Sequence, residues 1–296
     1  MTPDEPLPLE RWRDAARIAA GARELGLRLA VPGARRKDIA EAVEAFVRER
    51  GAEPAFPANL SRNVEAAHYT PDDADEARLV AGDLLKVDVG AHLDGAVADT
   101  ADTVEVGGGR RQAHLVAAVH EALAAGIRAV RPGGAVDDVS RAVADAIHAR
   151  GLKPVRDLTG HTIERYVLHA GKSVPNVAGL SGERFREGEI VAIEPFATNG
   201  EGRIANGPFG HILRFRRPPP ADDPELGRLF ARFRTLPFTP RWARTPDERA
   251  ALERGRRLLQ AYPVFLERGG GLVAQAEHTV RVGAAGAEVL TAQAPA

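Results

Sequence analysis

The sequence predicts an α+β protein of two pseudo-symmetric halves that meet at one sheet, and three observations carry that prediction. The chain matches itself across residues 26–55 at an offset of 100 (126 − 26). A shorter match joins residues 82–88 to 188–194 at an offset of 106 (188 − 82). Asp94-Gly95, a strong two-residue turn signal, sits between two strand-like runs.

In the first match Gly26/Gly126, Arg28/Arg128, Pro32/Pro132, Gly33/Gly133, Asp38/Asp138, Ala42/Ala142, Val43/Val143, Arg50/Arg150, Gly51/Gly151 and Pro54/Pro154 coincide. Ten identities over thirty positions exceed the two or three expected even of an Ala-rich chain. Each copy reads as helix, Pro-Gly break, helix, Gly stop. The first helices, about 9–30 and 111–130, end at the Pro-Gly; the second, about 37–50 and 137–150, open near an acidic residue and end at Gly51 or Gly151. Two unrelated amphipathic helix pairs would not share their breaks as well as their helical residues. After each copy a turn glycine opens an apolar strand ending in a carboxylate, Gly82 to Asp88 and Gly188 to Glu194. The first strand continues as a hairpin over residues 84–106. In the second half the return strand is expected only at residues 272–282. Residues 207–265 intervene, Pro- and Arg-rich and then helical in pattern (ELGRLFARFRTL, TPDERAALERGRRLLQAY), and read as an inserted helical subdomain of one domain spanning 1–296.

Lys+Arg 40 against Asp+Glu 41 gives a formal charge of −1, so no basic field for DNA, other polyanions or anionic membrane is implied. Without cysteine there is no disulfide framework, thiol nucleophile or Cys-held metal, and any metal sits on N and O ligands. The start of the chain lacks an apolar signal region and no run of about 18 apolar residues occurs, so a cytoplasmic location is expected.

The hairpin carries the first chemistry. If Asp94-Gly95 pairs Leu93 with Ala96, then Asp88 faces Ala101, and Asp99 lies on the same face one diagonal step away. Such a pair is unfavourable unless one acid is protonated or a cation lies between them. Asp94 and Asp102 read as solvated surface acids, but the apolar run Leu84, Leu85, Val87, Val89 makes Asp88 costly without a partner. By the pseudo-symmetry Glu194 answers Asp88 and Glu277 answers Asp99. His161, following the second repeat, adds a nitrogen. Four carboxylates and one imidazole suit two divalent ions, Co, Mn, Fe or Zn, rather than one tetrahedral zinc.

Ala55-Phe-Pro-Ala-Asn-Leu-Ser61, Ala66-Ala-His-Tyr-Thr-Pro71, Lys86-Val-Asp-Val-Gly90, Gly160-His-Thr-Ile163, Leu168-His-Ala-Gly171, Ile193-Glu-Pro-Phe196, Tyr262-Pro263 and Ala274-Gln-Ala-Glu-His-Thr279 resemble the signature segments of type II methionine aminopeptidases. The resemblance runs from about residue 9 to the end and is nearest the archaeal members, which lack a long charged N-terminal extension. It implies the pseudo-twofold "pita-bread" (creatinase/aminopeptidase) fold, a curved antiparallel sheet flanked by helices, with the type II helical insertion. It also implies a dinuclear site on Asp88, Asp99, His161, Glu194 and Glu277. Ala276, where many members carry an aromatic, is a departure expected to alter packing and not ligation.

The implied reaction is removal of the N-terminal initiator methionine of nascent polypeptides whose second residue is small, by water activated between the two ions. The resemblance casts Glu194 as proton carrier, His169 as the group steadying the tetrahedral intermediate, and His68 as a substrate contact near the scissile bond. Phe56, Tyr262 and Leu168 are its candidates for the methionine pocket, with His211 a weaker one. His92, His114, His120, His148 and His278 read as ordinary surface or core histidines. The chain's own Met1-Thr2 start fits such a substrate, although Pro3 hinders it. A monomer is expected, with no DNA or membrane partner and ribosome association left open. The rivals are an Xaa-Pro peptidase of the same fold, against which the segment after His161 speaks, and a non-catalytic pita-bread binding protein, against which all five ligands speak.

Overall fold

The structure is a computed structural model that describes residues 7–292; the Met1-Thr2 start lies outside them. The first half runs α1 (Leu9–Leu29), α2 (Arg36–Glu49), β1 (Glu53–Arg62), β2 (Glu65–Ala67), β3 (Leu84–Leu93) and β4 (Ala96–Glu105). The second begins α3 (Ala113–Ala129), α4 (Val136–Ala149), β5 (Lys153–Pro154), β6 (Thr159–Ile163), β7 (Ser173–Pro175), β8 (Ile190–Ile193) and β9 (Phe196–Thr198). There follow β10 (Ile204–Phe215), α5 (Pro224–Phe233), α6 (Pro246–Arg254), β11 (Leu259–Glu267), β12 (Val273–Gln275), β13 (Glu277–Gly283) and β14 (Gly286–Val289).

The main sheet is ordered β1-β3-β4-β13-β8-β6-β7, with β14 on β13. The two halves therefore contribute β1-β3-β4 and β6-β8-β13, and they join where β4 meets β13. α1 and α2 bury Ala16, Ala19, Ile39 and Val43 against Val87 and Val89, while α3 and α4 bury Ala118, Ala122, Val139 and Val143 against Val191 and Ile193. Glycine in a helix interior costs about 1 kcal/mol relative to alanine, so Gly26 and Gly126 need a reason. A Cβ on Gly26 would stand 2.6 Å from Val87 Cγ1, and one on Gly126 2.9 Å from Val143 Cγ2 and 3.2 Å from Ile193 Cγ2. Each glycine lets its helix press onto the strand residue that immediately precedes an acid, Asp88 or Glu194.

Two expectations need correcting. Within 207–265 the first and last residues are not helical: β10 and β11 form a long antiparallel hairpin that brackets α5 and α6. Gly207, Pro208 and Gly210 interrupt the alternation that would have betrayed β10, whose pairing is bulged in the same region, and the second helix stops at Gly255 where the apolar spacing continued. The hairpin and its helices have their own core of Phe215, Leu226, Leu229, Phe233, Phe238 and Trp242. The return strand over 272–282 is broken at Ala276, because β12 pairs with β9 while β13 pairs with β4 and β8. No described helix is long and apolar enough to cross a membrane.

Candidate metal centre

The sheet register assembles the centre. Leu93 pairs with Ala96, Asp88 with Ala101 and Gly90 with Asp99, as the turn requires. Across the junction Glu277 pairs with Ala101 and His278 with Ile193, so Glu194 falls opposite Glu277. His161 pairs with Ala192, two residues before Glu194. Directly opposed residues, and residues two apart, share a sheet face. Asp88, Asp99, His161, Glu194 and Glu277 consequently stand on one face in two adjacent rows. Gly90 is small for the same reason, since a Cβ there would run into the Phe56 ring.

Asp99, His161 and Glu277 are buried and each offers a ligand atom within 4.8 Å of the others. His161 Nε2 lies 3.7 Å from Asp99 Oδ2 and 3.6 Å from Glu194 Oε1. Its Nδ1 faces the Thr162 carbonyl at 3.4 Å, which can only accept, so the proton sits on Nδ1 and the Nε2 lone pair faces the acids. Burial pushes the Asp88 carboxyl up to about 7. Burial first, and then the neighbouring carboxylates, hold Asp99, Glu194 and Glu277 well above the usual range. Burial and the adjacent His169 hold His161 well below its ordinary value, so it stays neutral. Asp88 Oδ1, Asp99 Oδ1 and Glu277 Oε1 are buried without a hydrogen-bond partner. Acceptors crowded together, several unpartnered, beside a neutral imidazole are a donor set that fits hard or borderline divalent cations.

The acids open onto a cavity of about 190 Å³ whose walls include Phe56, His68, Leu168, His169 and Tyr262. His68, at φ 66°, is held between the Tyr262 and Phe265 rings, with centroids at 5.3 and 4.6 Å. A non-glycine residue in that region costs on the order of 1 kcal/mol, strain of a kind that clusters at working sites. Burial lowers its imidazole to about 4. The His169 ring is 4.3 Å from that of His161 yet keeps surface open to solvent. Its crowding by protein and the Arg214 cation lower its basicity. His211 is not a wall of the cavity: it is exposed and its Nε2 lies 3.5 Å from Asp72 Oδ2.

Asn59, Phe196, Ile212, Pro237 and Phe265 line the cavity too, and sequence reasoning missed them. Asn59 was hidden by a bulge: Phe56 pairs with Gly90 but Asn59 with Asp88, three residues against two, which brings both onto the cavity face. Ile212 and Pro237 come from the insert. Its placement is fixed by a buried cluster in which Arg241 donates to Glu44 at 2.8 Å, Trp242 Nε1 donates to Glu44 at 2.6 Å, and Glu44 also accepts from the Ala58 amide in the bulge.

A duplicated α+β scaffold with acids and one imidazole converging at its seam defines a metal-dependent hydrolase. A family model described as metallopeptidase family M24 matches residues 10–283. The chain belongs to this family. It is 41% identical over 287 residues to a methionine aminopeptidase of Pyrococcus abyssi, covering 93% of this chain and 97% of that one. To a methionine aminopeptidase of Thermococcus kodakarensis it is 42% identical over 289 residues, covering 94% and 97%. Among solved structures, a methionine aminopeptidase of Thermotoga maritima superposes with TM-score 0.73 at 25% identity over 99% of this chain and 98% of that one. A prolidase of Pyrococcus furiosus, 18% identical with TM-score 0.64 over 97% and 64%, shares the pita-bread fold.

Proposed function

We propose that the chain is a metal-dependent aminopeptidase that releases N-terminal methionine when the second residue is small. The observation that carries this reading is the match, over nearly its whole length, to methionine aminopeptidases at about 40% identity, together with five N and O ligands facing one cavity. Asp88, Asp99, His161, Glu194 and Glu277 would hold two divalent ions. Bound there, the ions supply Lewis acidity and make water nucleophilic at neutral pH.

The other steps fall to side chains. The Glu194 carboxyl, with Gln275 Nε2 3.4 Å from its Oε2, takes the proton from water and delivers it to the leaving amine. His169 donates to the oxyanion of the tetrahedral intermediate, and His68 orients the scissile peptide. Phe56, Leu168 and Tyr262 enclose the thioether, and Ile212 and Pro237 from the 207–265 insert limit its length. The reading extends to a monomer, one domain with its insert, acting in the cytoplasm on chains as they leave the ribosome.

Methionine release from Met-Ala-Ser, set against Met-Pro and Ala-Pro peptides, tests it with stripped, Mn-, Fe-, Co- and Zn-loaded protein. Metal-dependent release from Met-Ala-Ser is expected. Cleavage of Ala-Pro without Met-Ala-Ser would make the chain an Xaa-Pro peptidase.

A further inference from the structure

The two halves carry their ligands on separate strands, and β4 and β13 pair through only two residue pairs, Ala101 with Glu277 and Thr100 with His278. Two positions beyond the Ala101–Glu277 pair, in each direction, a threonine hydroxyl stands in for the missing ladder bonds. Thr279 Oγ1 accepts from the Asp99 amide at 2.8 Å and donates to the Asp99 carbonyl at 2.7 Å. Thr103 Oγ1 accepts from the Gln275 amide at 2.9 Å and donates to the Gln275 carbonyl at 2.6 Å. A hydroxyl has one donor and two acceptor sites, so each can satisfy both main-chain groups of the residue across from it. The sums 99 + 279 and 103 + 275 both equal 101 + 277, so the clasps are related by the local twofold at the Ala101–Glu277 pair, which sets Gln275, and not Glu277 as the sequence suggested, as the counterpart of Asp99.

All four hydroxyl and strand partners, Thr279, Asp99, Thr103 and Gln275, are buried. Each clasp reaches a proposed ligand: Thr279 grips Asp99 itself, and Thr103 grips Gln275, whose side chain approaches Glu194. One threonine belongs to each half and holds the ligand-bearing backbone of the other.

We infer that Thr103 and Thr279 are positioning residues that set the spacing between the ligand strands of the two halves, and so the fit of the centre to its ions. The inference rests on the metal-centre reading. Valine has the shape of threonine but neither accepts nor donates, so it leaves a buried amide and a buried carbonyl unmet, whereas serine keeps the hydroxyl.

Calorimetric titration of manganese(II) into chelator-stripped protein tests this, with thermal melting of the stripped protein alongside. Groups that orient metal ligands change affinity by about 10- to 100-fold when removed. Thr279→Val and Thr103→Val should each bind manganese at least about tenfold more weakly, and Thr279→Ser and Thr103→Ser should return to within about threefold of wild type. Leu229→Ala, in the separate core of the insert, should lower the melting temperature and leave manganese affinity unchanged. Wild-type affinity in both valine variants, or equal weakening by Leu229→Ala, would overturn the inference. A wild-type protein that takes up no manganese and releases no methionine would overturn the metal-centre reading itself.

Discussion

Glu277→Gln in the metal-free protein is the sharpest probe of the centre, because it should cripple metal uptake and yet stabilise the stripped chain as pH rises. Burial and the neighbouring Asp99, Glu194 and Asp88 hold the Glu277 carboxyl well above its ordinary 4.5. The folded protein therefore keeps a proton there that the unfolded chain has already lost above about pH 5. A raised folded pKa gives stability that is whole at low pH and is lost as pH climbs toward the folded value, at about 1.4 kcal/mol per pH unit per proton. Glutamine carries no such penalty, and the histidines and Lys86, common to both proteins, cancel in the comparison. With an unfolding entropy of about 2.1 cal/mol/K per residue, 296 residues give about 0.6 kcal/mol/K, so the variant should gain about 2 °C per pH unit over wild type. From pH 5 to 8 the gain reaches at most about 7 °C, less to the extent that the other acids titrate earlier once one is neutralised. Differential scanning calorimetry of chelated samples reads it. Saturating manganese should reverse the order, since only a complete centre gains from mass action. A difference in melting temperature that stays flat from pH 5 to 8 would refute the argument, for it would mean that Glu277 is ionised in the fold throughout.

Gly126→Ala should destabilise by about 1–3 kcal/mol despite its better helix propensity, because the new methyl meets Val143 and Ile193; a denaturation midpoint at or above wild type would contradict the close packing. Arg241→Leu leaves the buried Glu44 carboxylate with its Trp242 and Ala58 donors but without its cation, and a loss of about 3–5 kcal/mol in chemical unfolding is expected, larger than for any surface arginine. Phe56→Ala removes a wall of the proposed methionine pocket and should lower kcat/KM on Met-Ala-Ser at least about tenfold, a buried aromatic contact being worth more than 1.4 kcal/mol, while manganese affinity stays within about twofold.

The four repeat helices were legible because proline and glycine punctuate both copies alike, and the register of β3 and β4 followed from one Asp-Gly turn. That register placed Asp88 and Asp99 together before any contact was known. The insert was misread where glycine and proline break the alternation of β10, and where leucines after Gly255 prolong a helical spacing that the chain does not follow. Asn59 was hidden because a bulge cancels the period-two rule that places strand residues on faces. Thr103 and Thr279 gave no local signal, since a hydroxyl that replaces a ladder bond is a property of two strands over 170 residues apart.

β11 pairs not only with β10 but also with β2, setting Phe265 against Ala67, the residue before His68. The roof of the cavity is thus tied to its histidine by backbone, while the acids belong to a floor whose geometry comes from another sheet. The cavity walls Ile212, Pro237 and Tyr262 accordingly come from a different part of the chain from the acids, whereas Phe56 and Leu168 come from the acid-bearing halves themselves. Substitutions in the Phe215–Trp242 core should therefore reshape the insert's share of the cavity wall while leaving the strands that carry the acids as they are.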